Sequence, residues 1–320
     1  MQNSFTLSCL RTFSHFLSLN AAKRKLSILI YHRVMDKFEP LRAGEIMKDD
    51  FDWQVELLSR YYTVLPLSEA ISHLQNNTLP ARAVCITFDD GYADNESIAL
   101  PILKRHNACA TFFVATDYLN GGYMWNDKVI DALSIGPDTL DLTHLDLGTV
   151  DLGSTELRIK AMENLLPKIK YLPTAQREKT VDNIANLVGS NRTDLMMTDA
   201  QVKNLHAAGM EIGGHTQSHP ILANITEKQA MHEIGGGREI LQSLVGNDVK
   251  SFAYPNGKPG KDYTNENVLQ VKKCGFDAAV STHWGVSNKS TDRFQLARFT
   301  PWDKTPANFS LRLLRNYSGI

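Results

Sequence analysis

The sequence predicts an α/β fold in which a parallel sheet, covered by helices, curls into a distorted (β/α)7 barrel with a mostly helical insertion. Two observations carry this. Short, continuously apolar runs recur along the chain, as strands buried on both faces require. Segments of helical periodicity lie between most of them, and such alternation marks parallel strands joined by crossover helices. The runs are residues 26–31, 62–65, 83–88, 110–114, 210–212, 251–254 and 278–281. The helical segments include 50–60, 68–75, 95–106, 227–244 and 265–274. About seven units in one chain favour closure over an open sheet.

One stretch breaks the rhythm. Leucines and aspartates alternate within 140–153, which reads as an extra hairpin or an extended lid, and helical patterns follow at 155–169 and 174–188. Residues 134–194 are therefore set apart as an insertion carried on a domain of 26–320. Gly235, Gly236 and Gly237 interrupt a helical pattern, each costing about 1 kcal/mol relative to Ala. They do not follow a strand, so a phosphate-binding loop is not expected; a kink or close helix packing is. Residues 1–25 read as a leader. Leu10, Phe13, Phe16 and Leu17 have helical spacing, which suits docking on the domain or peripheral contact with a membrane. Arg11 and His15 interrupt the apolar residues and no small-residue cleavage site follows, so a secretory signal is not expected. No run approaches the ~20 apolar residues of a membrane span.

With 320 residues and 42% hydrophobic content, the chain can bury a large core. Its 34 basic and 35 acidic residues leave a formal charge of -1, so no net field attracts nucleic acid. Cys9, Cys85, Cys109 and Cys274 are scattered, which fits neither a disulfide framework nor a zinc-cysteine motif. Cys85 and Cys109 read as buried thiols. Free thiols suit a reducing compartment, so a cytoplasmic location, with membrane association through the leader, is the expectation. Oligomeric state is not legible.

The chemistry sits in two fragments. Thr87-Phe88-Asp89-Asp90-Gly91 puts adjacent carboxylates at the end of a strand, with a glycine that permits the chain to turn. His215-Thr216-Gln217-Ser218-His219 follows another short strand and two glycines. The four-residue spacing suggests both imidazoles on one face of a helical turn. An isolated Asp-Asp-Gly is usually a surface turn, and an isolated His-x-x-x-His seldom binds metal. Together they supply an Asp and two His as ligands, leaving room for water and a second Asp as base. Thr216 and Ser218 can hydrogen-bond the ligands or a bound product.

These two fragments resemble the polysaccharide deacetylase family, the NodB-homology domain of carbohydrate esterase family 4. The resemblance runs from about Leu26 to about Trp302. It implies a seven-unit barrel that removes an N-acetyl group from a sugar. It further implies that Asp90, His215 and His219 bind a divalent metal and that Asp89 is the general base. Zinc is the first choice for such a donor set, with cobalt, nickel or iron as competitors.

Two positions depart from the family pattern. Where its third motif carries an arginine, this chain has Ala253, in Phe252-Ala253-Tyr254-Pro255-Asn256-Gly257. Pro255 is retained, and the Asn256 N–H is the expected oxyanion donor. Arg298 or Arg33 is a candidate to replace the lost arginine beside Asp89, Arg298 the better one; without a replacement, Ala253 favours a degenerate barrel. The usual Leu-x-His acid is also absent, since the matching stretch reads Leu296-Ala297-Arg298. Instead His32 ends the first strand, as in the permuted branch that includes poly-N-acetylglucosamine deacetylases, and is the expected general acid. Thr216, Tyr254, Pro255 and Trp125 are the expected sugar contacts, although ordinary core packing explains Trp125 equally well. His283 and Trp284 are expected near the mouth. The expected partner is an N-acetylated glycan of a bacterial surface polysaccharide or its precursor. The rival readings are another amide hydrolysis, such as deformylation of a lipid-linked amino sugar or opening of a cyclic amide, and a degenerate barrel that only binds glycans.

Overall fold

The computed structural model describes residues 24–318; Cys9 and the leader positions Leu10, Phe13, Phe16 and Leu17 lie outside them. Two compact units are present. One holds the chain up to Asp36, Glu45–Leu119 and the chain from Met197 onward; the other holds Lys37–Gly44 and Asn120–Met196.

The first unit begins with β1 (Ser27–Tyr31), the short pair β2 (Val34–Met35) and β3 (Ile46–Met47), and α1 (Lys48–Tyr61). β4 (Thr63–Val64), α2 (Leu67–Gln75), β5 (Ala83–Phe88), α3 (Leu100–Arg105) and β6 (Thr111–Val114) follow. The chain then builds the second unit from α4 (Trp125–Ile135), β7 (Thr139–Leu142), β8 (Gly148–Asp151), α5 (Thr155–Lys170) and α6 (Thr174–Val188). It returns through α7 (Asp199–Ala207), β9 (Glu211–Gly214), α8 (Glu227–Val245), β10 (Ser251–Ala253), α9 (Asn265–Lys273), β11 (Ala278–Val280) and α10 (Pro306–Ser318).

The main sheet is parallel in the order β1-β5-β6-β9-β10-β11. Its edges meet through residues 296–299, which bridge Val280 to Leu296 on one side and Leu29 to Phe299 on the other. Leu296 N–H donates to Ala279 O at 3.0 Å and Ile30 N–H to Phe299 O at 3.1 Å. The sheet therefore curls back on itself, as the alternation predicts. The strand expected at 62–65 is present as the short β4, paired with β5, and residues 296–299, which lie outside the expected runs, join the two edges. The reason is local: Arg298 interrupts the apolar run, and its charge is tolerated because it has a buried partner.

Side chains alternate between two apolar layers. Ile28, Cys85, Phe113, Ala253, Val280 and Leu296 share one cluster. Leu29, Tyr31, Ile86, Phe88, Phe112 and Phe252 join the other, with Phe51 and Val55 of α1 and Phe309 of α10. Burial of both strand faces is why the runs lack polar alternation. Cys85 is buried, whereas Cys109 is only half-buried. α7 and α8 start in capping boxes, Thr198 with Gln201 and Thr226 with Gln229, each answering unpaired N–H groups of a first turn. The three glycines of α8 do not break the helix. A Cβ would stand 2.9 Å from Thr216 O on Gly237 and 2.9 Å from the Gln217 side chain on Gly236, so close packing is the reason for these two.

In the second unit, β7 and β8 form an antiparallel hairpin with Thr139 opposite Asp151. Residues 134–194 lie inside this unit, whose longer segment starts earlier, at Asn120. Trp125 corrects an expectation: it is 5% exposed in this unit's core with Val129, Leu133 and Leu165, and Arg177 lies over its ring. It is not a groove wall. Among the described residues, no helix is long and apolar enough to cross a membrane.

Candidate active site

In the first unit, the chemistry collects where parallel strands end. Asp89 and Asp90 follow β5, His215 follows β9, His32 follows β1 and Tyr254 to Asn256 follow β10. Asp90 and Gly91 both have left-handed backbones, φ 76° and 93°, which turn the chain sharply after the strand. Only glycine adopts that conformation freely, so Asp90 is held there by its surroundings.

The ligand candidates meet. His215 Nε2 lies 3.3 Å from Asp90 Oδ1, and His219 Nε2 lies 3.4 Å from the same oxygen. One donor atom from each residue fits within 4.8 Å of the others, and all three residues are buried. His215 Nδ1 is 2.7 Å from Ala253 O, which assigns its proton to Nδ1 and turns the Nε2 lone pair toward Asp90. Burial alone would raise the Asp90 carboxyl. His215, His219 and His32 outweigh it and hold the group well below the usual carboxylate range. An ionised carboxylate with two imidazoles is a donor set that fits a divalent ion.

The His-x-x-x-His segment is a loop, not the expected helical turn. Thr216 and His219 are both left-handed, φ 65° and 53°. Thr216 Oγ1 accepts the His219 N–H at 3.1 Å. Glu233 of α8 accepts the N–H groups of Gln217 and Ser218 at 3.0 and 2.9 Å, and the Ser218 hydroxyl at 2.6 Å. Three hydrogen bonds accepted by one carboxylate hold this loop conformation. Glu233 was missed in the sequence because it lies on a helix with no motif of its own.

Asp89 is paired with Arg298. Two parallel hydrogen bonds of 2.7 Å join the guanidinium to both carboxylate oxygens. Arg298 Nε also donates to Ser281 O at 3.0 Å, and the residue is 1% exposed. Burial would raise Asp89; Arg298, with His215 and His32, overcomes it and keeps the carboxyl below its ordinary value. Arg33 instead pairs with Asp94 at 2.8 Å. Ala253 thus leaves no vacancy beside Asp89, which removes the main ground for a degenerate barrel.

His32 is partly buried at the end of β1. Burial opposes its charged form, but Asp90, Glu45 and Asp89 together raise its pKa. Asn256 has φ 60°, and its carbonyl accepts the Thr282 hydroxyl at 2.7 Å. Three expected sugar contacts are corrected. Tyr254 is fully buried, stacked on Tyr263 at 3.8 Å, with its hydroxyl on Phe294 O. Thr216 is 1% exposed, and its hydroxyl serves the His219 loop. Pro255 is buried as well. Each lies just past a strand end, where packing against the next element, not sequence position, decides exposure.

Carboxylates and imidazoles gathered at the ends of parallel strands fit a barrel hydrolase. The chain belongs to the polysaccharide deacetylase family, whose model matches residues 76–279. A relative, YxkH of Bacillus subtilis (strain 168), is 22% identical over 276 residues, covering 86% of this chain and 70% of that one. Among solved structures, the Streptococcus pyogenes deacetylase PplD, in complex with acetate, superposes with a TM-score of 0.62 at 20% identity. The match covers 91% of this chain and 98% of PplD. IcaB from Ammonifex degensii gives 0.58 at 18% identity, over 92% and 97% of the two chains. These likenesses establish the fold.

Proposed function

We propose that this deacetylase is metal-dependent and hydrolyses the N-acetyl group of a sugar in a bacterial surface polysaccharide or its precursor. The observation that carries the reading is the Asp90–His215–His219 cluster beside an Asp89 held ionised by Arg298. When bound there, a divalent ion, zinc first, supplies Lewis acidity toward the acetyl carbonyl and lowers the pKa of water. Asp89 accepts the proton of the attacking water as its oxygen bonds to the acetyl carbon. The Asn256 N–H donates to the oxygen where negative charge develops; losing one such donor typically costs about 10²–10³ in rate. His32 gives its proton to the amine as the C–N bond breaks. Acetate and an amino sugar leave.

The test is acetate release from N-acetylglucosamine oligomers by protein loaded with zinc or cobalt. Chelation is expected to abolish it, and re-addition of the ion to restore it. Formate from a formylated lipid-linked amino sugar, with no acetate from any oligomer, would sink this reading in favour of deformylation.

Glu233→Ala is expected to weaken zinc binding about 10–100-fold, as loss of a group that orients metal ligands does. Competition with a chromogenic chelator measures it. Unchanged zinc affinity in a folded variant would reject the role given to Glu233.

A further inference from the structure

One flank of the first unit carries an aromatic surface that the chemistry above does not use. Trp284 and Trp302 are 44% and 58% exposed. Their rings stack on each other, with centroids 5.9 Å apart and planes 29° from parallel. Both belong to the first unit, and both are tied to Arg298. The Arg298 N–H donates to the His283 carbonyl at 3.0 Å, and Trp284 is the next residue. Trp302 lies four residues after Arg298, so their Cα atoms are at most about 14 Å apart. The Arg298 side chain turns to Asp89, while the next residue, Phe299, is buried in the core and packs under Trp284 with ring centroids 5.6 Å apart.

A groove of about 770 Å³ runs from Trp284 along α10. Asp303, Asn308, Arg312 and Asn316 line it. Arg312 is paired with Asp303 and lies over the Trp284 ring at 5.8 Å. Asn316 donates to Gly285 O at 3.1 Å. Flat rings beside amide, carboxylate and guanidinium groups match a pyranose. The C–H face of a sugar ring lies on the negative face of an aromatic ring, and its hydroxyls need planar polar partners. Leu311 is the one exposed aliphatic side chain lining this groove, and the rest of its exposed lining is aromatic or polar.

We propose that Trp284 and Trp302 form a glycan-binding platform for sugars of the same chain beyond the one deacetylated. The proposal rests on the deacetylase reading and deepens it: the substrate is an oligomer or polymer whose neighbouring residues stack here.

The test compares wild type with Trp302→Ala, Trp284→Ala and Trp302→Phe on N-acetylglucosamine dimer and hexamer. The ratio of kcat/KM for hexamer over dimer is expected to fall about tenfold in either alanine variant. Trp302→Phe, which keeps a ring, is expected to restore most of it. Intrinsic tryptophan fluorescence of wild type should change with hexamer, and the change should shrink in the alanine variants. An unaltered ratio, or hexamer binding that is the same in folded alanine variants, overturns the platform. So does tryptophan-dependent binding to phosphatidylcholine–phosphatidylglycerol vesicles without hexamer binding, which would make this a membrane face. If wild type releases acetate from neither oligomer while hexamer binding still depends on the two rings, the deacetylase reading fails and the platform stands.

Discussion

Asp89→Asn is expected to abolish acetate release while leaving zinc bound. The substitution removes the Asp carboxylate that is not aimed at His215 and His219, the candidate metal ligands. Asp90 Oδ1 faces both His215 and His219, whereas Asp89 gives both of its oxygens to Arg298. An amide of the same size keeps the space filled but cannot take a proton from water. Loss of a positioned general base costs about 10²–10⁴ in rate. Zinc affinity, measured by chelator competition, should change little, because the ligand donors are untouched. A variant that keeps full activity would reject Asp89 as the base; one that loses zinc together with activity would make Asp89 a ligand.

Much of this geometry was legible because it is local. Asp89 and Asp90 sit directly after an apolar run, and His215 and His219 directly after two glycines, so strand ends could be located from the sequence and the two fragments placed on one rim. Arg298 was legible only as a candidate, since its partner is 209 residues away in sequence and nothing around it forms a motif. What escaped is what tertiary packing decides. The i,i+4 histidine spacing suits a helical turn, but Glu233 reaches from α8 and fixes a loop with two left-handed residues. Tyr254 and Trp125 were expected as sugar contacts, but one is stacked on Tyr263 and the other sits in the core of the second unit. The strand position at 296–299 was overlooked for the same reason that makes it informative. A charge in the middle of a strand argues against burial unless a partner waits inside, and here the partner is the catalytic candidate itself.

Arg298→Met tests that coupling between fold and chemistry. Methionine fills similar volume but leaves Asp89 buried without its guanidinium. Removing one member of a buried ion pair destabilises by about 3–5 kcal/mol, because the remaining charge is uncompensated. The variant should therefore unfold at lower denaturant concentration than wild type. The pH dependence has a definite sign. In the native protein Asp89 has a depressed pKa, so its contribution to stability is present above the unfolded value of about 3.9 and is lost as pH falls through the folded value. Burial is already the largest single influence on Asp89, and without Arg298 only His215 and His32 oppose it, so the carboxyl moves up. The acid limb of the kcat/KM profile should then move to higher pH, since that limb reports the base in the free enzyme. Arg298→Lys restores charge but not the two parallel hydrogen bonds, so it should recover part of the stability and part of the shift. An acid limb that stays in place in Arg298→Met would mean that Arg298 serves only to join β11 to β1, and that something else keeps Asp89 ionised.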